Sequence, residues 1–570
     1  MKLKETLISF ENYTFQYQAQ SSRTIKDINL QINKGERVII VGASGCGKST
    51  LAHCLNGLNP FCYHGTSTGE LKICGVEAKK ASIFELSQCV GTVLQDTDGQ
   101  FIGMTVLEDI AFAMENDCVE QEELLRRTYA EAEMLHLIDQ LDEAPHQLSG
   151  GQKQRVSMAG VLVNRIPILL FDEPLANLDP AAGKEAIELI DRIQKETEAT
   201  VVIIEHRLED ALHMGADRIV LMEDGQIVMD CPPSELFATD RLMEAGIREP
   251  LYITALKYAS VPLNADMKLG RVEDLELTKE QVKLVQNWFQ AEQDEEEEQR
   301  KEPILSVEGL SFGYAEGKHN LSDVSFTVNE GEMVSIVGKN GAGKSTLAKL
   351  LCGFQKQEQG IIRYRGRDIA GDTIKERSQY IGYVMQNPNQ MISKAMIFDE
   401  VAMGLRVQKI SEEEIKERVF ETLKICGLYQ YRNWPVEALS YGQKKRVTIA
   451  SILVSQPEIL ILDEPTAGQD FRHYTDIMEF LKELNKQGIT VIMITHDMHL
   501  MLEYTNRTLA FSAGRMIADT TPVKLFADLP LVERASLKET SLFRLANLAD
   551  ITPERFINKF IQQDRKVRRA

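Results

Sequence analysis

Two stretches, Gly42-Ala-Ser-Gly-Cys-Gly-Lys-Ser-Thr-Leu51 and Gly338-Lys-Asn-Gly-Ala-Gly-Lys-Ser-Thr-Leu347, share the form G-x-x-x-x-G-K-S. Each is a phosphate-binding loop. Its glycines let backbone N–H groups converge on phosphate oxygens, a lysine (Lys48, Lys344) neutralises the outer phosphates, and a serine hydroxyl (Ser49, Ser345) reaches Mg²⁺. The helix that follows points its positive end at the nucleotide. The expected ATP-binding residues are therefore Gly42, Ala43, Ser44, Gly45, Cys46, Gly47, Lys48, Ser49 and Thr50, and again Gly338, Lys339, Asn340, Gly341, Ala342, Gly343, Lys344, Ser345 and Thr346. One such loop would say only that a nucleoside triphosphate binds. Two of them sit inside two copies of a longer pattern.

Working outward, the same landmarks recur at nearly fixed distances. Lysine to a later glutamine is 47 residues in the first copy (Lys48 to Gln95) and 42 in the second (Lys344 to Gln386). From that glutamine to the serine of LSGGQ or LSYGQ is 54 in both (Ser149, Ser440), and from serine to the glutamate of FDEP or LDEP is 24 in both (Glu173, Glu464). Glutamate to histidine is 33 and 32 (His206, His496). The chain is a tandem duplication. Short apolar runs such as Val38 to Val41, Ile168 to Phe171 and Val201 to Ile204 alternate with helical stretches, which predicts a parallel α/β sheet in each copy. The loop, the D-E pair and the histidine all follow strands, so they should meet beyond the strand carboxyl ends. A helical lobe is expected between Gln95 and Ser149.

Length and composition set the class. At 570 residues the chain exceeds one core, and 43% hydrophobic with 26% charged residues is ordinary for a globular protein. A formal net charge of -21 argues against a general nucleic-acid coat. The nine cysteines form no C-x-x-C pair, which favours reduced thiols in the cytosol. No apolar run approaches the roughly 20 residues needed to cross a bilayer, and the N-terminus does not read as a signal peptide. Arg565 to Arg569 reads as a basic, solvated end. Cys46 sits inside the first phosphate loop, where alkylation is expected to obstruct the first site.

The motif set resembles the nucleotide-binding domains of ABC ATPases, and the serine-led LSGGQ ahead of a D-E-P strand is what makes the resemblance specific. It implies two tandem P-loop domains, each with a RecA-like parallel sheet core, a helical subdomain and an antiparallel β edge. Residues 1–245 would form the first domain, 246–302 an appendix and an acidic linker carrying residues 294–298, 303–532 the second domain, and 533–570 a helical tail. The resemblance also implies that nucleotide is sandwiched head to tail. Lys48 and Ser49 would meet Ser440, Gly442 and Gln443, while Lys344 and Ser345 would meet Ser149, Gly150, Gly151 and Gln152. Asp172 and Asp463 would hold Mg²⁺ with Ser49, Gln95, Ser345 and Gln386. Glu173 and Glu464 would polarise the attacking water, and His206 and His496 would touch the γ-phosphate. Tyr17 and Tyr314 could stack on adenine, and Asp179 and Asp470 match the loop that crosses to the partner site. The cofactors implied are ATP and Mg²⁺.

One position departs from the pattern: Tyr441 replaces the first glycine of the second signature. Backbone donors need glycine only where the dihedrals are unusual, so a working site is expected. The stretches Leu94 to Gly103 and Glu205 to Asp210 are similar to segments of energy-coupling-factor importers for vitamins and metal ions. That likeness implies an ATPase at the cytoplasmic face of the cell membrane. Its partners would be a membrane scaffold (T-type) subunit and a small substrate-binding membrane protein, with docking near residues 99–104 and 389–394, and no nucleic acid. The alternative is a soluble twin ATPase acting on ribosomes, against which the acidic joint and net charge both count.

Overall fold

The computed structural model describes residues 5–94, 98–176, 178–290, 302–314, 320–466 and 471–569, which divide into two compact units, Met1–Trp288 and Phe289–Ala570. In the first unit the strands are β1 (Thr6–Tyr17), β2 (Ile25–Asn33), β3 (Arg37–Gly42), β4 (Gly65–Ile73), β5 (Val76–Glu77), β6 (Val90–Val93), β7 (Ile168–Asp172), β8 (Thr200–Ile204), β9 (Arg218–Glu223) and β10 (Gln226–Cys231). Six of them make one sheet in the order β10-β9-β3-β8-β7-β6, parallel throughout except for β10. Strands β3 and β8 are buried along their whole length, as unbroken apolar runs in a covered parallel sheet should be.

A second, antiparallel sheet runs β2-β1-β4-β5. Strand β2 alternates buried and solvated residues, so only one of its faces is apolar. Ile28 of that face joins Phe10 and Phe15 of β1 in one core with Ile40, Leu51 and Val202. The helix that opens at the phosphate loop, Lys48–Leu55, is thereby pinned by both sheets.

Helices Val106–Asn116, Gln121–Met134 and Gly150–Leu162 form the expected lobe, with a small core of Ala111, Met114, Leu124 and Val163. The lobe's first helix starts at Val106, within the expected span, and its last, Gly150–Leu162, runs on past Ser149. Thr105 and Glu108 form a reciprocal capping box that starts the first helix, a signal hidden by the loop-like residues ahead of it.

The second unit repeats this plan with β11 (Pro303–Phe312), β12 (Leu321–Asn329), β13 (Met333–Gly338), β14 (Gln359–Tyr364), β15 (Arg367–Asp368), β16 (Ile381–Val384), β17 (Ile459–Asp463), β18 (Thr490–Ile494), β19 (Arg507–Ser512) and β20 (Arg515–Thr520). Its sheets run β16-β17-β18-β13-β19-β20 and β12-β11-β14-β15. The helices after each core correspond too. Pro233–Phe237 and Pro522–Ala527 both open on proline and both bury a Leu-Phe pair, Leu236 with Phe237 and Leu525 with Phe526. Arg565 is not a solvated end residue: it donates to the Glu503 carbonyl at 3.1 Å and to Asn506 Oδ1 at 3.2 Å. The acidic run at residues 294–298 lies outside the described residues.

Candidate functional site

In the first unit the phosphate loop leaves β3, Asp172 ends β7, and His206 follows β8. These three strands are neighbours, so their carboxyl ends bring the motifs together. Gly47 caps the loop helix at φ 105°, a left-handed geometry that disfavours any residue with a Cβ, and an added Cβ would lie 2.8 Å from Ile25. Lys48 is buried and donates to the Gly42 and Ala43 carbonyls at 2.8 and 3.0 Å. Ser49 is exposed, whereas Thr50 is buried and takes a hydrogen bond from the Tyr17 hydroxyl at 3.2 Å. Tyr17 thus braces the loop helix through its hydroxyl.

The Cys46 thiol is hidden from solvent. It is buried against Gly42, and burial pushes its pKa up, so it is a poor target for alkylation.

Glu173 sits at φ 50°, left-handed for a non-glycine residue, with its N–H donating to the Ile204 carbonyl at 2.9 Å. This turn aims its carboxylate at His206, whose Nε2 lies 3.0 Å from Glu173 Oε1. Burial, reinforced by the Glu173 charge, raises Asp172 to about 6. One of its oxygens, Oδ1, is buried with no hydrogen-bond partner among the described residues, as suits a carboxylate arranged for a cation. Ser49 supplies a hydroxyl at the same strand ends, so the donor set fits Mg²⁺. Gln95 and its neighbours lie outside the described residues.

The second unit shows the same construction. Gly343 caps its loop helix at φ 98°, and Lys344 donates to the Gly338 and Lys339 carbonyls at 2.6 and 3.0 Å. Glu464 repeats the left-handed turn at φ 47°, and His496 Nδ1 lies 2.8 Å from its Oε1, close but not aligned as a hydrogen bond. Asp463 is also raised by burial, and Ser345 and Tyr383 both hydrogen-bond to it. Tyr314 is 53% exposed, its ring edge-on to Phe312, which leaves a face open for stacking.

Each signature serine is a helix N-cap. Ser149 and Gln152 form a capping box on Gly150–Leu162, and Ser440 and Gln443 form one on Tyr441–Leu453. Gly150, Gly151 and Gly442 all lack positive φ, so the backbone there does not require glycine. Tyr441 is accordingly accommodated at the first helical position, 42% exposed. Gly442 is closely covered, because an added Cβ would meet His473 at 3.2 Å. Asp179 caps the helix Pro180–Thr197 through Ala182 N at 2.9 Å, and Asp470 lies outside the described residues.

Three residues beside the site were given no role by the motif reading. Glu205 is fully buried, with its pKa raised by burial. It accepts from the backbone of Leu175, His206 and Arg207 and so shapes the histidine turn. Lys445, 1% exposed, donates to the Met385 and Gln386 carbonyls at 2.9 and 2.8 Å, and burial lowers it to about 8. Tyr383 donates to Asp463 Oδ2 at 3.0 Å. Laying one copy over the other finds the last two, since Gln154 and Thr92 stand at the matching positions.

A family model described as ABC transporter matches residues 25–176 and 321–467. Another, described as ATP-binding cassette cobalt transporter, matches residues 239–312. ABC transporter ATP-binding proteins of Clostridium perfringens and Enterococcus faecalis are 56% and 55% identical, each over 99% of this chain and 100% of theirs. One from Staphylococcus aureus is 51% identical over the full length of both. Among solved structures, cbiO1 of Clostridium perfringens, described as part of the ABC transporter complex cbiONQ, is 36% identical with a TM-score of 0.39. That match covers 44% of this chain and 100% of that one. The chain belongs to the ABC transporter ATP-binding family and is an ATPase with two fused nucleotide-binding domains.

Proposed function

We propose that this chain is the ATP-driven subunit of an energy-coupling-factor type importer for a vitamin or a metal ion. It would work at the cytoplasmic face of the membrane with a T-type scaffold and a small substrate-binding membrane protein. The observation that carries this reading is the cobalt-transporter match on residues 239–312. That segment holds helices beyond the first core and the first strand of the second unit, not the hydrolytic motifs, so the likeness concerns something other than ATP hydrolysis.

A presented loop supports it. Asp109 accepts from the backbone of Ile102 and Gly103, and Glu108 from Met104 and Thr105. The clamp holds Ile102 and Met104 outward at 65% and 82% exposure, a small apolar knob for a membrane partner. No helix among the described residues is long and apolar enough to cross a membrane.

In this mechanism Ser49, Gln95 and Asp172, and in the second half Ser345, Gln386 and Asp463, would hold Mg²⁺. When bound, the ion screens the phosphate charge. Lys48 and Lys344 exchange their loop carbonyls for phosphate oxygens. Glu173 and Glu464 orient the attacking water and draw on its proton, while the adjacent histidines fix the carboxylates and reach the γ-phosphate. Ser149 and Ser440, at helix starts, would offer a hydroxyl and backbone donors to the nucleotide of the opposite half. Binding would close the halves and hydrolysis release them.

A tagged chain recovered from gently solubilised membranes tests the reading. It should bring down a multi-span scaffold and a small membrane protein. Recovery of ribosomal proteins with no membrane partner would overturn it.

A further inference from the structure

The two copies differ where the glutamine loop meets the sheet. In the second unit the Tyr383 hydroxyl, from β16, donates to Asp463 Oδ2 at 3.0 Å across to the end of β17. One residue beyond β16, the Met385 carbonyl accepts from Lys445, and so does the Gln386 carbonyl next to it, at 2.9 and 2.8 Å. Lys445 projects inward from the signature helix Tyr441–Leu453 and is 1% exposed, so these bonds are shielded from water.

Among the described residues the first unit shows neither tie. Thr92 replaces Tyr383, and its hydroxyl accepts from Asn56 at 3.4 Å. Gln154 replaces Lys445 and donates instead to the Pro174 carbonyl at 2.7 Å, on the D-E-P segment. Asp172 keeps a buried oxygen without a hydrogen-bond partner among the described residues. A hydrogen-bond donor behind a metal-binding carboxylate fixes its rotamer, and a loop tied at two consecutive carbonyls has less freedom to lose on binding.

We propose that Tyr383 and Lys445 are positioning residues that pre-organise Asp463 and the Gln386 loop, so that the Mg²⁺–nucleotide site on Lys344 is the tighter of two unequal sites. This rests on the site assignment made above. Tyr383 acts by holding one carboxylate oxygen so that the other faces the ion. Lys445 acts through the backbone, which a side chain at position 386 alone could not achieve. Because Lys445 belongs to the helix that carries Ser440, it also links the loop of one site to the signature that would serve the other.

The test is equilibrium binding of a fluorescent ATP analogue to the full-length chain, titrated with Mg²⁺. Lys48→Ala isolates the second site and Lys344→Ala the first. The Lys48→Ala chain should need less Mg²⁺ for half-maximal binding than the Lys344→Ala chain. Adding Tyr383→Phe to Lys48→Ala should raise that requirement about tenfold, with binding in the absence of Mg²⁺ unchanged. Adding Tyr383→Phe to Lys344→Ala should change nothing. Lys445→Gln, which installs the first copy's residue, should act in the same direction, and Thr92→Tyr should tighten the first site. Equal Mg²⁺ requirements at the two sites, or no response to Tyr383→Phe, would overturn the proposal. Failure of either lysine substitution to remove a class of sites would overturn the site assignment beneath it.

Discussion

At the scale of single residues, the two glutamates carry the most information. Glu173 and Glu464 sit at φ 50° and 47°, where side chains with a Cβ are uncommon, and both pay that strain at the same place in the fold. In each case the N–H is held by a carbonyl of the neighbouring strand, Ile204 or Ile494, so the turn is fixed by the sheet rather than by the loop. The consequence is a carboxylate about 3 Å from a histidine in both units, at 3.0 and 2.8 Å. Exchange of either carboxylate for an amide keeps the shape and removes the proposed base. Glu173→Gln and Glu464→Gln should therefore each lower ATP turnover, the double variant by about 10²–10⁴-fold, with nucleotide binding retained. Turnover and binding measured on the same preparations check this. An unchanged rate in the double variant would show that neither carboxylate takes part.

At the scale of elements, β3 illustrates how a functional loop is anchored from its far end. Arg37 begins the strand that ends in the phosphate loop. Its guanidinium meets Asp191 at 2.7 Å, with both side chains about 10% exposed or less, and also bonds Gln194 and the Met214 carbonyl. Despite the opposing effect of burial, Lys195 and Arg37 hold the Asp191 carboxyl below its usual range. Removing the acid strands a buried cation. Asp191→Ala should destabilise the first unit by about 3–5 kcal/mol, read as a drop in denaturant midpoint with an unchanged slope.

This ion pair was not legible in the sequence, whereas the strand itself was. Unbroken apolar runs and fixed spacings located β3, β7 and β8 and the residues at their ends, because period and distance along the chain survive without a structure. Arg37 and Asp191 are 154 residues apart, and nothing local marks either as buried. Lys445 is harder still: in Gln-Lys-Lys-Arg it reads as one more solvated cation. Only the packing of the signature helix against the glutamine loop turns it inward. Tyr383 needed the register of β16 against β17 before its hydroxyl could be placed at Asp463.

At the scale of the whole chain, the head-to-tail closure proposed above would be an intramolecular event, because the two copies are fused, with an effective concentration set by the joint. On that proposal Ser149 would serve the nucleotide on Lys344, and Ser440 the one on Lys48. Variants combined across the halves can expose it, because substitutions in one site should not add while substitutions in different sites should. Nucleotide retained per chain is the suitable readout, taken in the Glu173→Gln, Glu464→Gln background so that cooperation in hydrolysis cannot mask the pattern. Loss of Lys344 should remove that site's share of the retained nucleotide, and adding Ser149→Ala should remove little more. Ser149→Ala with Lys48→Ala should instead weaken both sites. Each serine also caps its helix, so every variant carries a folding cost of about 1 kcal/mol, equal in both combinations and therefore cancelled in the comparison. The reverse pattern, with Ser149 and Lys48 sharing one site, would mean that like halves of two chains pair. The fused architecture would then serve to build a dimer rather than to close one molecule on itself.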